Sequence, residues 1–182
     1  MTLTLYKWTH ARYHDAIDAG LFDEQPVELL QGDIVIMPPE REAHACYSSD
    51  AAEYLRRLLG NQASVRETKP VTLPHDSEPV PDIAIVKPPL RGYLEHHPYP
   101  ADIFWLIEYS NTTLAKDLGK KKQIYAAAGI QEYWVSDFKN SQLKVFRDGL
   151  QGKYQTELTL VEGIISPLSF PDVAIDVCRL FS

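Results

Sequence analysis

"DIFWLIEYSNTTLAKDLGKKKQIYAAAG", residues 102–129, carries the reading of the fold. It is apolar from Ile103 to Ile107, long enough for a central strand buried on both faces. Side chains alternate along a strand, so Glu108 falls on the side of Leu106 and Phe104. The second half has the spacing of an amphipathic helix, which turns ~100° per residue. A face centred between Leu118 and Tyr125 takes in Leu114, Ala128 and Gly129, and it also takes in Lys121. Lys122 lies at its margin, and Lys120 points away into solvent. A lysine in such a stripe packs its stem among apolar neighbours, and its ammonium must find an anion. The alternative is that residues 120–122 form a solvated charge run.

Working outward, "VELLQGDIVIMPP" (27–39) reads as two short strands around Gln31-Gly32-Asp33, closed by two prolines. Residues 41–60 form a helix with a stripe of Tyr47, Ala51, Tyr54, Leu55 and Leu58, stopped by Gly60. The start of the chain holds a short helix ending near Gly20. Residues 64–74 give one or two strands, and "VPDIAIVKPP" (80–89) gives a strand between prolines. Residues 90–102 are loop-like, which leaves His96 and His97 solvated. "IQEYWVSD" and "QLKVFRD" are two further strands joined through 138–141, and 154–181 adds β structure with a short last turn. Tyr133 and Trp134 are read as core aromatics rather than base-stacking groups. Strands interleaved with helices imply an α/β domain with a mixed sheet. The expected organisation is one domain over 1–182, with an N-terminal extension (1–25), a core (26–150) and a C-terminal β extension (151–182).

Composition bounds the chemistry. The 182 residues suffice for a real core, and 45% hydrophobic with 24% charged residues is ordinary for a soluble globular protein. No apolar run reaches membrane-spanning length, no signal-peptide pattern opens the chain, and Cys46 and Cys178 stand isolated. A reduced cytoplasmic setting follows as the expectation. A net charge of -7 argues against a protein that coats nucleic acid electrostatically, but not against an enzyme that meets phosphate through a divalent cation. His10 and His14, four apart, could share a metal, but no third ligand accompanies them.

The candidate chemistry rests on carboxylates. Asp82 opens a strand directly after Pro81, and Glu108 closes the most hydrophobic strand in the chain. Either could simply meet water at a strand end. If the two strands are sheet neighbours, however, both carboxylates converge, and the following helix brings Lys121 to them. Two hard oxygen ligands suit Mg²⁺ or Mn²⁺ better than zinc. A metal-activated water with a neighbouring lysine points to phosphodiester hydrolysis. No phosphate-binding loop, dinucleotide fingerprint or nucleophile elbow is present to support other enzyme classes.

The segments "VELLQGDIVIMPP", "PVPDIAIV" and "WLIEYSNTTLAKDLGKKKQIYAAAGIQEYWVSD" together resemble the Uma-type restriction endonuclease family, a branch of the PD-(D/E)XK nuclease superfamily. The resemblance spans roughly 27–147 and continues more loosely to the end. It implies a restriction-endonuclease-like fold, a mixed β-sheet flanked by helices, and a homodimer. By position, Asp82 matches the motif aspartate and Glu108 the second acidic residue. The superfamily's usual lysine would stand two residues after Glu108, where this chain has Ser110. Members of this branch supply it from the next helix, in the slot of Lys121. Glu28 matches an acidic position that is either an auxiliary ligand or a surface glutamate, and the Tyr109 carbonyl has a metal-binding counterpart. The expected function is a Mg²⁺-dependent DNA endonuclease. A non-catalytic DNA-binding or interaction module on the same scaffold is the alternative, and hydrolysis of RNA or of a smaller phosphodiester is a third.

Overall fold

A computed structural model describes residues 5–111 and 113–181; the expectations for residues 1–4, 112 and 182 lie outside them. In chain order the elements are α1 (His10–Asp18), β1 (Val27–Leu30), β2 (Asp33–Ile36), α2 (Glu42–Leu59), β3 (Ser64–Glu67), β4 (Ile83–Val86) and β5 (Ile103–Ser110). The helix α3 follows over 114–127, then β6 (Glu132–Asp137), β7 (Gln142–Leu150), β8 (Lys153–Leu160), β9 (Ile164–Ile165) and β10 (Ile175–Asp176).

Six strands form one sheet in the order β3-β4-β5-β6-β7-β8. Only β5 and β6 run parallel, with Leu106 beside Tyr133; every other pairing is antiparallel. Parallel neighbours need a crossover, and α3 is that crossover. The strand β8, from the C-terminal extension, completes one edge of this sheet.

Each face of the sheet is covered. On one side Ala51, Leu55 and Leu59 of α2 pack on Ile83, Ile85, Trp105, Ile107 and Trp134, joined by Ile175, Val177 and Leu180 from the chain's end. On the other, Ile124, Tyr125 and Ala126 of α3 pack on Ala84, Leu106, Tyr133 and Val135, with Leu30 from β1. The sheet is therefore sandwiched, as the apolar run at 103–107 requires. The α2 stripe sits one column round from expectation: Ser48, Ala52 and Leu59 are buried beside Ala51 and Leu55, whereas Tyr47, Tyr54 and Leu58 are only partly covered.

Strict alternation fails at one place. Ile85 pairs with Trp105, but Val86 pairs with Ile103, so β5 carries an extra residue there. Phe104 consequently packs with Phe170 on the α2 face, not beside Leu106 as alternation predicts. The bulge lies before Glu108, which keeps the expected face.

The hairpin β1–β2 turns through Gln31 (φ 53°) and Gly32 (φ 75°), the two left-handed residues that a tight two-residue hairpin turn requires. Glu78 N–H donates to the Leu29 carbonyl (2.7 Å), which ties this hairpin to the segment leading into β4.

Candidate functional site

The register Ile83↔Ile107 makes β4 and β5 antiparallel neighbours. Continued by one residue, it sets Asp82 beside Glu108. The Tyr109 amide donates to Asp82 Oδ2 at 2.6 Å, and Thr68 N–H holds the Asp82 carbonyl at 3.0 Å. Asp82 and Glu108 line the same cavity of about 290 Å³, together with His44, Tyr109, Lys116, Asp117 and Lys121. The condition placed on the two strands is met.

Lys121 comes to this place from α3 and is 3% exposed. Its ammonium donates to Glu108 Oε1 (2.8 Å) and the Val80 carbonyl (3.2 Å), and lies 3.3 Å from Glu28 Oε2. Three acceptors match the three N–H groups of an ammonium. Ile124 and Tyr125 of the same helix are buried as well, and the burial inferred from helical phase is observed. The phase itself is different. Residues Asp117–Lys121 form a π-helical segment between α-helical turns at Leu114–Lys116 and Lys122–Ala127. Asp117, Lys121 and Tyr125, four apart, form a buried column, whereas Ala128 is half-buried and Gly129 exposed. On an α-helix, a four-residue spacing drifts about 40° per step. The wider π turn offsets that drift and keeps the column aligned.

The departure at Ser110 has a partner in this segment. Ser110 Oγ–H donates to Asp117 Oδ2 at 2.6 Å, and Tyr133 O–H donates to the Asp117 carbonyl at 3.1 Å. The position that would carry a lysine on the strand instead anchors the turn that delivers Lys121.

Glu28 is fully buried, which removes the surface-glutamate reading. It accepts from Lys116 (2.9 Å) and from Val80 N–H (3.2 Å), and shares Lys121. Lys120 faces outward but is not free: it donates to Asp33 at 2.8 Å. Lys122 pairs with Glu157 and lies 4.1 Å from the centre of the Phe146 ring. His10 and His14 do not share a partner; His10 reaches the Ser77 carbonyl and His14 the buried Glu78. His96 is exposed as expected, whereas His97 is half-buried, 4.0 Å from Glu78.

Four carboxylates (Glu28, Asp82, Glu108, Asp117) act on Lys121, with Lys116 as a second ammonium beside Glu28. Burial opposes charge on Lys121, yet Glu108, Glu28, Asp117 and Asp82 together raise its pKa, and it stays protonated. Glu28 also starts from a burial penalty, but Lys121 and Lys116 hold its pKa below the usual range. Glu108 is pushed up to about 8, chiefly by burial; Lys121 opposes this, while Asp82, Asp117 and Glu28 add to it. Four carboxyl groups thus share one small region with Lys121, Lys116 and His44. Among the described residues, no group of three or more His, Cys, Asp or Glu side chains is drawn together to hold a metal ion.

Residue reading did not find His44, Lys116 or Asp117. His44 Nε2 lies 3.1 Å from Asp82 Oδ1, and Glu40 Oε1 is 3.6 Å away. Burial works against a charged His44 ring, but Asp82, Glu40 and Asp117 outweigh it and raise the pKa. Nothing in "REAHACY" marks that histidine. Asp117 was within reach, since it falls four residues before Lys121.

No curated protein matches the sequence. Among solved structures, a crystal structure described as "a putative nuclease belonging to DUF820" from Anabaena variabilis ATCC 29413 superposes with a TM-score of 0.70. The match covers 87% of this chain and 90% of that one at 18% identity, a likeness that shows the mixed-sheet fold. No described helix is long and apolar enough to cross a membrane. A family model described as "Uma2: Putative restriction endonuclease" matches residues 12–178, nearly the whole sequence, and the chain belongs to that family.

Proposed function

We propose that this chain is a Mg²⁺- or Mn²⁺-dependent phosphodiester hydrolase that acts on DNA as an endonuclease. One observation carries the reading: Asp82, Glu108 and a buried Lys121, from three separate segments of the chain, line a single cavity at the end of the central sheet. The donor set fits a hard divalent cation. Two of the proposed ligands are carboxylates, and both hydrogen bonds to Glu108 fall on Oε1, which leaves Oε2 toward a cation. Asp82, Glu108 and the Tyr109 carbonyl would hold the metal. When bound, such an ion lowers the pKa of a coordinated water and neutralises charge on a phosphodiester oxygen.

The protein's own groups do the rest. Tyr125 O–H donates to Glu108 Oε1 at 2.7 Å and fixes the carboxyl against α3. Lys121 stands where it orients an attacking water or offsets charge gathered in the transition state. The acceptors of Glu28 are already engaged by Lys116, Lys121 and Val80, so its assigned role is to place Lys121 rather than to ligate. The reading includes a homodimer in the cytoplasm.

A second reading, a non-catalytic binding module, is favoured by one feature: all three N–H groups of Lys121 already have acceptors within the fold. A cleavage panel separates the two. Incubation with DNA, RNA and small phosphodiesters, with Mg²⁺, Mn²⁺ or EDTA, should show metal-dependent scission of DNA that is lost in Asp82→Ala. Scission of RNA or small diesters alone would move the substrate. No scission of any substrate, with DNA still retained in a binding assay, would establish the module.

A further inference from the structure

Asp82 is gripped from two layers. The sheet holds one carboxylate oxygen through the Tyr109 amide (2.6 Å to Oδ2), and α2, packed across the face, holds the other through His44 (3.1 Å to Oδ1). His44 is fixed in turn. Its ring lies 6.3 Å from that of Tyr109 and 6.4 Å from that of Phe138, and Ala51 and Leu55 seat the same helix on the core. With a carboxylate as its acceptor, Nε2 is the nitrogen that carries the proton.

We infer that His44 is a positioning residue for the metal-binding carboxylate: its Nε2–H donates to Asp82 Oδ1 and sets the angle at which Asp82 faces the cavity. The inference rests on the reading of Asp82 and Glu108 as metal ligands. Two donors on opposite oxygens remove the rotation of the carboxylate about its Cβ–Cγ bond. The remaining lone pairs are then aimed before any ligand arrives. Partners of this kind, standing behind a ligand, change metal affinity by about 10–100-fold when removed.

The test uses Mn²⁺ alone, titrated calorimetrically into the full chain. His44→Ala should weaken binding by about 10–100-fold. His44→Gln should bind within about threefold of wild type, because its amide N–H reaches nearly where Nε2 stood. His44→Asn, one carbon shorter, should resemble Ala and replaces it if Ala does not fold. A metal-free readout accompanies these: the Tyr109 amide proton resonance should move in Ala and Asn and return in Gln. Equal Mn²⁺ affinity in wild type, Ala and Asn overturns the role of His44 and leaves the metal site standing. A Gln variant as weak as Ala does the same, since the donor would not be what matters. A wild type that binds no Mn²⁺ overturns the metal reading, and the inference with it.

Discussion

Glu108 and Glu132 are both buried glutamates on adjacent strands of one sheet, and they do opposite things. Every acceptor of Glu132 is spent on structure. Arg147 Nε and Trp134 Nε1 donate to Oε1 (2.7 and 2.9 Å), and Leu168 N–H donates to Oε2 (2.7 Å), lashing β6, β7 and the C-terminal loop together. Burial raises its pKa, but those three donors oppose the shift. Glu108 has two donors, both on one oxygen, and its surroundings include three further carboxylates. A buried acid fully matched by donors is a fastener. One with an oxygen left over beside a cavity is arranged for something that arrives from outside.

The contrast can be broken first at Glu108. Glu108→Gln, like Asp82→Asn, should abolish detectable Mg²⁺ or Mn²⁺ binding by calorimetry while the melting curve keeps its cooperativity. Unchanged titrations in both variants would make Glu108 another fastener. The mirror experiment is Glu132→Ala, which strands the Arg147 guanidinium and the Trp134 N–H. It should cost ~3–5 kcal/mol in denaturant unfolding, the scale of removing one partner from a buried pair, and leave metal affinity intact. If metal affinity fell as well, the two glutamates would not be separable. Next comes Lys121→Ala, expected to slow phosphodiester cleavage by ~10²-fold or more, the loss of one positioned stabiliser of transition-state charge. A stability loss without a rate effect would place Lys121 with Glu132. The smallest effect is expected at Lys120→Ala, whose exposed pair with Asp33 is worth ~0–1 kcal/mol and weakens with salt. Equal losses at Lys120 and Lys121 in the cleavage assay would return the lysine run to a plain charged surface.

The legible parts of the molecule were those governed by local periodicity. The apolar run at 103–107 announced a two-sided strand, and the helical stripe picked out Lys121 as buried. Asp82 and Glu108 could be joined conditionally, because one opens and the other closes a short apolar run. What could not be read depends on contacts between distant segments. His44 lies far from Asp82 in sequence, and only the packing of α2 across the sheet brings them together. Glu28 reads as a hairpin glutamate until Lys116 and Lys121, roughly ninety residues on, claim both of its oxygens. The bulge in β5 is invisible for another reason: an uninterrupted apolar run carries no mark of where alternation skips.

The π turn at Asp117–Lys121 has a bearing on how this chain tolerates insertion and deletion. Such a turn is one residue longer than the α turn it replaces, so it works as a spacer within a continuous helix. Losing a single residue there, Gly119 for instance, would leave a more regular helix with better backbone hydrogen bonds. It would also turn one end of α3 against the other and take Asp117 out of line with Lys121 and Tyr125. Local regularity and the working arrangement of side chains pull in opposite directions at this point. The length of the segment, as much as the identity of its residues, therefore belongs to the description of the site.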